Sequence, residues 1–243
     1  MIRVAAVGDV HFGDDCKGLL RPHLEDLVGR ADLFLIAGDL TRHGFAAEAE
    51  VLAEEVAGTP VPIALVLGNH DYHCGEEKEI TTLMQDAGAA VLDGDAFVLE
   101  GESGRVGVAG VKGFGGGFAG ACGTEFGEAE MKSFIGHTRG HADALQRALS
   151  GLDTDYKVAL LHYSPVEDTL QGERLEIYPF LGSYLLAEAI DAAGADLAIH
   201  GHAHAGREKG ATPGGVPVRN VAQPLIERAF NLYCLGSDAD PAC

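Results

Sequence analysis

Ile2-Arg3-Val4-Ala5-Ala6-Val7-Gly8-Asp9-Val10-His11 opens the chain, and the order of residue types in it decides the fold class. A short apolar run reaches a glycine, and metal-capable side chains follow at once. The same order returns at Leu33-Phe34-Leu35-Ile36-Ala37-Gly38-Asp39 and at Ile63-Ala64-Leu65-Val66-Leu67-Gly68-Asn69-His70-Asp71. Near-continuous apolar runs of this length read as strands covered on both sheet faces. Between them, Cys16–Val28 places Leu19, Leu20, Leu24, Leu27 and Val28 at helical spacing, and Phe45–Val56 and Glu76–Ala87 carry two more helical patterns. Strand and helix alternate about every 30 residues, the length of a βαβ unit. The reading is an α/β protein.

The middle of the chain changes character. Val91–Leu92, Phe97–Leu99 and Arg105–Val111 read as strands joined by Gly- and Asp-containing turns. Gly113–Gly123 holds too many glycines for a helix or strand and reads as a flexible loop near the mouth of a site. Glu128–Leu149 is a helical stretch with breaks expected near Gly136 and Gly140. Alternation then returns: strand Lys157–Leu161 ending at His162, helix Gly182–Ala193, strand Leu197–Ile199 ending at His200-Gly201-His202, and closing strands at Val216–Val221 and Phe230–Leu235. Ser237–Cys243 reads as a frayed tail. No linker divides the chain, so residues 1–243 are expected to form one domain, with the Gly-rich loop and a helical insertion around 113–150.

Composition narrows the function classes. With 243 residues, 47% hydrophobic and 22% charged, the chain can bury a sizeable core. It has no apolar run long enough for a membrane helix or a signal peptide, which points to the cytoplasm. Five scattered cysteines without a Cys-x-x-Cys pair argue against a disulfide framework and against a thiolate zinc site. The net charge of −20, from 37 acidic and 17 basic residues, repels nucleic-acid phosphates, and there is no basic run to offset it.

The chemistry concentrates where strands end. Asp9 and His11 follow the first strand, Asp39 the second, and Asn69, His70 and Asp71 the third; His162 follows a later strand, and His202 and His204 another. In open α/β sheets, ligands bind beyond the carboxyl ends of the strands. Asp9, Asp39 and Asn69 recur one βαβ unit apart, so they land on one edge. Imidazoles and carboxylates suit divalent zinc, iron or manganese, a carboxylate can bridge two ions, and the neutral Asn69 oxygen keeps the site positive for an anionic substrate. Two such ions can activate a bridging water and clamp both oxygens of an in-line displacement at phosphorus. Gly8, Gly38, Gly68 and Gly201 each precede a ligand, where close backbone approach needs the missing side chain.

The ordered blocks Gly8-Asp9-Val10-His11, Gly38-Asp39-Leu40, Gly68-Asn69-His70-Asp71, His162 and Gly201-His202-Ala203-His204 resemble the calcineurin-like metallophosphoesterase family. The resemblance spans Gly8 to His204 and is weak between Val91 and Tyr156. It implies a four-layer αββα sandwich of two mixed β-sheets flanked by helices. It implies two divalent transition-metal ions (Mn, Fe or Zn), with Asp9, His11 and His204 on one, Asn69, His162 and His202 on the other, and Asp39 bridging. His70 matches the family's non-ligand histidine, placed to meet the phosphate or protonate the leaving oxygen, and Asp71 would orient its imidazole. The implied activity is hydrolysis of a small-molecule phosphodiester or phosphomonoester by in-line attack of a metal-bridging hydroxide. Gly38-Asp39-Leu40-Thr41-Arg42-His43-Gly44 resembles the branch with cyclic-nucleotide and glycerophosphodiester phosphodiesterases, which favours a diester.

Two other functions stay open: a non-catalytic metal-binding scaffold of the same fold, and a DNA nuclease, which the acidity opposes. No membrane partner is implied, and oligomeric state is left open. Single residues also have plainer readings. Asp9 or Asp39 alone would pass for a helix cap. His200 lies within a strand and reads as a hydrogen-bonded core residue. His23, His43, His73, His137 and His141 match no motif, and neither does Cys74. Tyr163, Tyr178, Phe114 and Phe118 are candidate walls for an organic substituent.

Overall fold

In a computed structural model that describes residues 1–101 and 103–236, both faces of the first strand are buried. Ile2, Val4 and Ala6 enter one apolar cluster, and Ala5 and Val7 another. Side chains alternate across a strand, so a continuous apolar run needs a cover on each side.

Strands β1 (Ile2–Val7), β2 (Leu33–Ala37), β3 (Ile63–Val66) and β4 (Ala89–Val91) alternate with helices α1 (Arg21–Glu25), α2 (Ala46–Val56) and α3 (Glu77–Asp86). Strands β5 (Asp95–Gly101), β6 (Gly104–Val111), β7 (Gly117–Phe118) and β8 (Ala121–Cys122) follow, then α4 (Ala129–Ser150) and β9 (Tyr156–Leu161). The chain continues through α5 (Tyr178–Leu181), α6 (Tyr184–Ala193), β10 (Leu197–His200), β11 (Lys209–Ala211), β12 (Pro217–Asn220), α7 (Gln223–Ile226) and β13 (Asn231–Leu235).

The first sheet has the order β13-β1-β2-β3-β4 and the second β11-β12-β10-β9-β6-β5. β1 to β4 are parallel, with β13 antiparallel on β1. β6, β9, β10 and β12 are parallel, with β5 and β11 as antiparallel edges. Val4, Leu35 and Val66 meet Val108, Leu160 and Ile199 between the sheets. Leu24, Leu52, Ile80 and Met84 cover the outside of the first sheet, and Leu145, Leu149, Leu186 and Ile190 the outside of the second. The architecture is therefore the four-layer αββα sandwich. Each fully buried Leu or Ile contributes about 1.5–3 kcal/mol, so the layers are held mainly by these contacts.

Register sets the site. Val7 pairs with Ile36, Ala37 with Val66, and Val111 with Leu161. Parallel strands thus end level with their neighbours, and the residues that follow them emerge together.

Four local expectations change. The first helix is only Arg21–Glu25, because the Glu55 carboxylate takes the Gly18, Leu20 and Arg21 amides (2.6, 3.0 and 2.7 Å) and Pro22 fits only a first turn. Helix α4 runs unbroken through Gly136 and Gly140, held by the buried face of Ile135, Thr138, Ala142, Leu145 and Leu149. The Gly-rich segment is packed rather than flexible. Gly115–Phe118 are buried, the Gly116 amide donates to the Pro179 carbonyl (2.7 Å), the Gly117 amide to Gly182 (2.9 Å), and the Thr138 hydroxyl to Gly115. Cys16, Cys74 and Cys122 are free, but Cys234 is disulfide-bonded, against the expectation of reduced thiols. The expected tail at residues 237–243 lies outside the described residues.

Candidate metal centre

Asp9 follows β1, Asp39 follows β2, Asn69 follows β3, His162 follows β9, and His202 and His204 follow β10. The level strand ends bring all of them to one place. His204 Nε2 lies 2.8 Å from Asp9 Oδ1, and His162 Nε2 lies 2.9 Å from Asn69 Oδ1 and 3.3 Å from Asp39 Oδ1. His11 Nε2 and His70 Nε2 each lie 3.9 Å from Asp39 Oδ2. Donor atoms cluster as Asp9–His11–His204, His11–Asp39–His70 and Asp39–His162–His202.

The backbone marks the same residues. Among described non-glycine residues, Asp9 (φ 56°), His11 (φ 44°), Asp39 (φ 50°), His202 (φ 70°) and Glu227 (φ 51°) have left-handed backbones. The first four are expected ligands. Such conformations cost of order 1 kcal/mol each and collect at functional sites. Two glycines make the approach possible. A Cβ at Gly68 would run into the Asp39 carboxylate, and one at Gly201 into that of Asp9.

The imidazoles are preset for binding. His162 Nδ1 donates to the Ala37 carbonyl (2.9 Å), His70 Nδ1 to Arg42 (2.7 Å), His11 Nδ1 to Thr41 (3.4 Å) and His202 Nε2 to Phe180 (3.3 Å). Each bond fixes the ring and leaves the other nitrogen as a lone pair. Burial also lowers the pKa of His11, and burial with the neighbouring His162 lowers that of His202 to about 3. Both rings are therefore neutral near pH 7, the state that binds metal. His204 shifts upward because of its bond to Asp9. The donor set, nitrogen and oxygen with no thiolate, fits divalent transition metals.

The calcineurin-like phosphoesterase family pattern matches residues 2–206. The chain belongs to that family. The match ends before β11, β12 and β13, which nonetheless complete the two sheets. No curated protein matches the chain. Among solved structures, phosphopantetheinyl hydrolase (PptH) from Mycobacterium tuberculosis superposes with a TM-score of 0.71 at 14% identity, covering 98% of both chains. A putative 5'-nucleotidase from Staphylococcus aureus gives 0.55 at 18% identity, covering 90% of this chain and 48% of that one. GAP50, the anchor in the inner membrane complex of Plasmodium, gives 0.56 at 11% identity, covering 92% and 72%. At these identities the likeness is one of fold.

Within this calcineurin-like phosphoesterase, Asp71 takes a different place from that expected. It is fully buried and accepts the Leu40, Thr41 and Gly68 amides (3.1, 2.9 and 2.8 Å) and the Thr41 hydroxyl (2.7 Å). It braces two ligand loops, while the Arg42 carbonyl orients His70. Burial and the nearby Asp39 push the Asp71 pKa up to about 6. His200 is buried and bonded to Thr169 Oγ1 (2.8 Å), as expected of a core residue. His43 is tied to Glu48 (2.8 Å). Tyr163 stacks on His202 with ring centroids 4.4 Å apart, and Phe114 stacks on Tyr163 at 5.6 Å, so both line the centre's flank. Phe118 and Tyr178 pack in a separate cluster with Leu170 and Leu181.

One residue escaped the sequence reading. Lys112 follows β6 directly and is buried, and its carbonyl accepts the His162 and Tyr163 amides (both 3.0 Å). The signal was the one used elsewhere, a polar side chain at the end of an apolar strand.

Proposed function

We propose that the chain hydrolyses a small-molecule phosphate ester with two divalent transition-metal ions. Asp9, His11 and His204 would hold one, Asn69, His162 and His202 the other, and Asp39 both. The observation that carries this reading is Asp39: its carboxylate oxygens face His162 on one side and His11 on the other (3.3 and 3.9 Å). When bound, the ions supply positive charge at the phosphoryl oxygens and acidify the attacking water.

The chain's own residues do the rest. Asp39 turns one oxygen toward each side of the centre, and the His70 amide fixes one of them (2.9 Å). The His202 amide bonds both oxygens of Asp9 (3.0 and 2.9 Å), aiming that carboxylate at the site. His70 Nδ1 is committed to the Arg42 carbonyl. Proton transfer therefore occurs at Nε2, which faces the centre and can protonate the leaving oxygen. Two neighbours in fold bear hydrolase and nucleotidase names, which fits this chemistry. The Gly38–Gly44 block favours a diester over a monoester.

Among the described residues no helix is long and apolar enough to cross a membrane, and the charge of −20 disfavours nucleic acid as substrate. Cleavage of DNA at physiological salt would overturn that preference. The rival reading is a scaffold like the anchor GAP50, and the complete donor set opposes it. Elemental analysis with turnover of a chromogenic diester and monoester decides the matter. The expected result is about two ions per chain and hydrolysis supported by Mn, Fe or Zn. A metal-loaded protein inert on every ester means a scaffold.

A further inference from the structure

Among the described residues, buried Lys112 has no hydrogen-bond or ion-pair partner at contact distance, although Asp93 and Asp39 act on it from further off. It is 8% exposed, and its Nζ lies 5.0 Å from the Tyr72 ring centroid, 4.9 Å from Phe114 and 5.3 Å from Tyr163. Among the described residues no carboxylate lies within 4.0 Å of it and no acceptor takes its hydrogens. Three ring faces offer attraction of about 0.5–2 kcal/mol each, but no lone pair for the three N–H donors of an ammonium. Lysine is almost never this buried unless paired.

Its position explains what the partner is. Lys112 follows β6, whose neighbour β9 ends in His162, and Tyr163 touches both the Lys112 cage and His202. On the other side Lys112 lines a cavity of about 350 Å³ with Leu67, Tyr72, Lys78 and the carboxylates Glu77 and Asp93. Tyr72 ends the short turn of helix that begins at His70. The cage thus joins the metal centre to a space large enough for part of a substrate. In a chain of net charge −20, the buried Lys112 ammonium beside that centre, with Lys78 across the cavity, attracts anions where the surface otherwise repels them.

We propose that Lys112 binds a second anionic group of the substrate, a phosphoryl or carboxylate separate from the one that reacts, and thereby selects bisphosphate-type or phosphate–carboxylate esters over simple ones. The proposal rests on the phosphoesterase reading for the reacting group. The rings of Tyr72, Phe114 and Tyr163 flank the ammonium, and Tyr72 also lines the cavity.

The test uses alkyl methyl phosphodiesters with and without a terminal phosphate three to six carbons away, together with the matching alkyl monophosphates and α,ω-alkane bisphosphates, as substrates. The corresponding mono- and bisphosphonates serve as non-hydrolysable ligands in calorimetry on the metal-loaded protein. The wild type should prefer at least one bis-anion over its mono-anion by roughly tenfold or more, in kcat/KM and in Kd, as for charge-assisted hydrogen bonds. Lys112→Met should bring that ratio to about one, and Lys112→Arg should retain part of it. If Lys112→Met fails to fold, Lys112→Gln reads the same ratio. A ratio that stays constant while both constants fall together would overturn the proposal, as would a wild type that shows no bis-anion preference in either assay. Bis-anion binding that depends on Lys112, without turnover of any ester, would sink the hydrolase reading and leave Lys112 standing. Turnover without preference does the reverse.

Discussion

The loops of the first sheet and those of the second build the site in different ways. The first-sheet loops are short and laced to one another. The Asp9 amide donates to Gly38 (2.9 Å), the His11 amide to Asp39 (3.1 Å), and the Phe12 amide to Leu40 (2.9 Å), with Asp71 reaching in from the third loop. The second-sheet segments are long. The stretch after Lys112 reaches α4, and the stretch after His162 reaches α6. They are fixed on each other instead, the Gly116 amide to Pro179 (2.7 Å) and the Gly117 amide to Gly182 (2.9 Å). The contrast teaches where chemistry and selectivity separate. The laced loops position the proposed metal ligands, and the long segments supply flank residues such as Lys112, Phe114 and Tyr163.

The strongest way to break this contrast is at Asp39. Asp39→Asn should abolish turnover and reduce bound metal on both sides, read by elemental analysis. Activity surviving with full metal content would remove the bridge from the laced loops. His70→Ala should retain metal and lower kcat by roughly 10²–10⁴-fold, the range for a general acid. Loss of metal in that variant would make His70 a ligand.

Asp71→Asn sharpens the bracing role. Its amide nitrogen would face N–H donors, so unfolding should become easier by about 4 kcal/mol in denaturant titration, two or more buried bonds being lost. A variant of unchanged stability with slow turnover would instead return Asp71 to His70. The smallest effect lies on the second sheet. Burial lowers the His200 pKa to about 4. As pH falls below about 6.5, the unfolded chain takes the proton first, so stability is lost between there and about 4, by about 3 kcal/mol in all. His200→Gln should flatten that part of the pH–stability curve. Identical curves would mean the ring titrates in the fold as it does in the unfolded chain.

The same contrast decides what could be read beforehand. Asp9, Asp39 and Asn69 were legible because each directly follows an apolar run, and level strand ends turn sequence spacing into proximity. His162 and His202 obeyed the same rule from the second sheet. Lys112 obeyed it too, but a lysine after a strand is ordinarily a solvated end, and nothing in the sequence shows that three rings close over it. Asp71 was adjacent to His70 in sequence, which suggested partnership. Its true partners are amides of another loop, and amides leave no mark in a sequence. The Gly-rich segment was misjudged for a related reason. Its order comes from backbone bonds to Pro179 and Gly182, far along the chain.

The left-handed ligands have a consequence for descent. At Asp9, His11, Asp39 and His202, replacing the ligand with glycine would relieve roughly 1 kcal/mol of backbone strain per position. Losing catalysis is therefore partly downhill for the fold itself. A lineage released from selection for turnover would shed these side chains first and keep the sandwich, so an inactive descendant should show glycine or asparagine at the four positions proposed here as metal ligands.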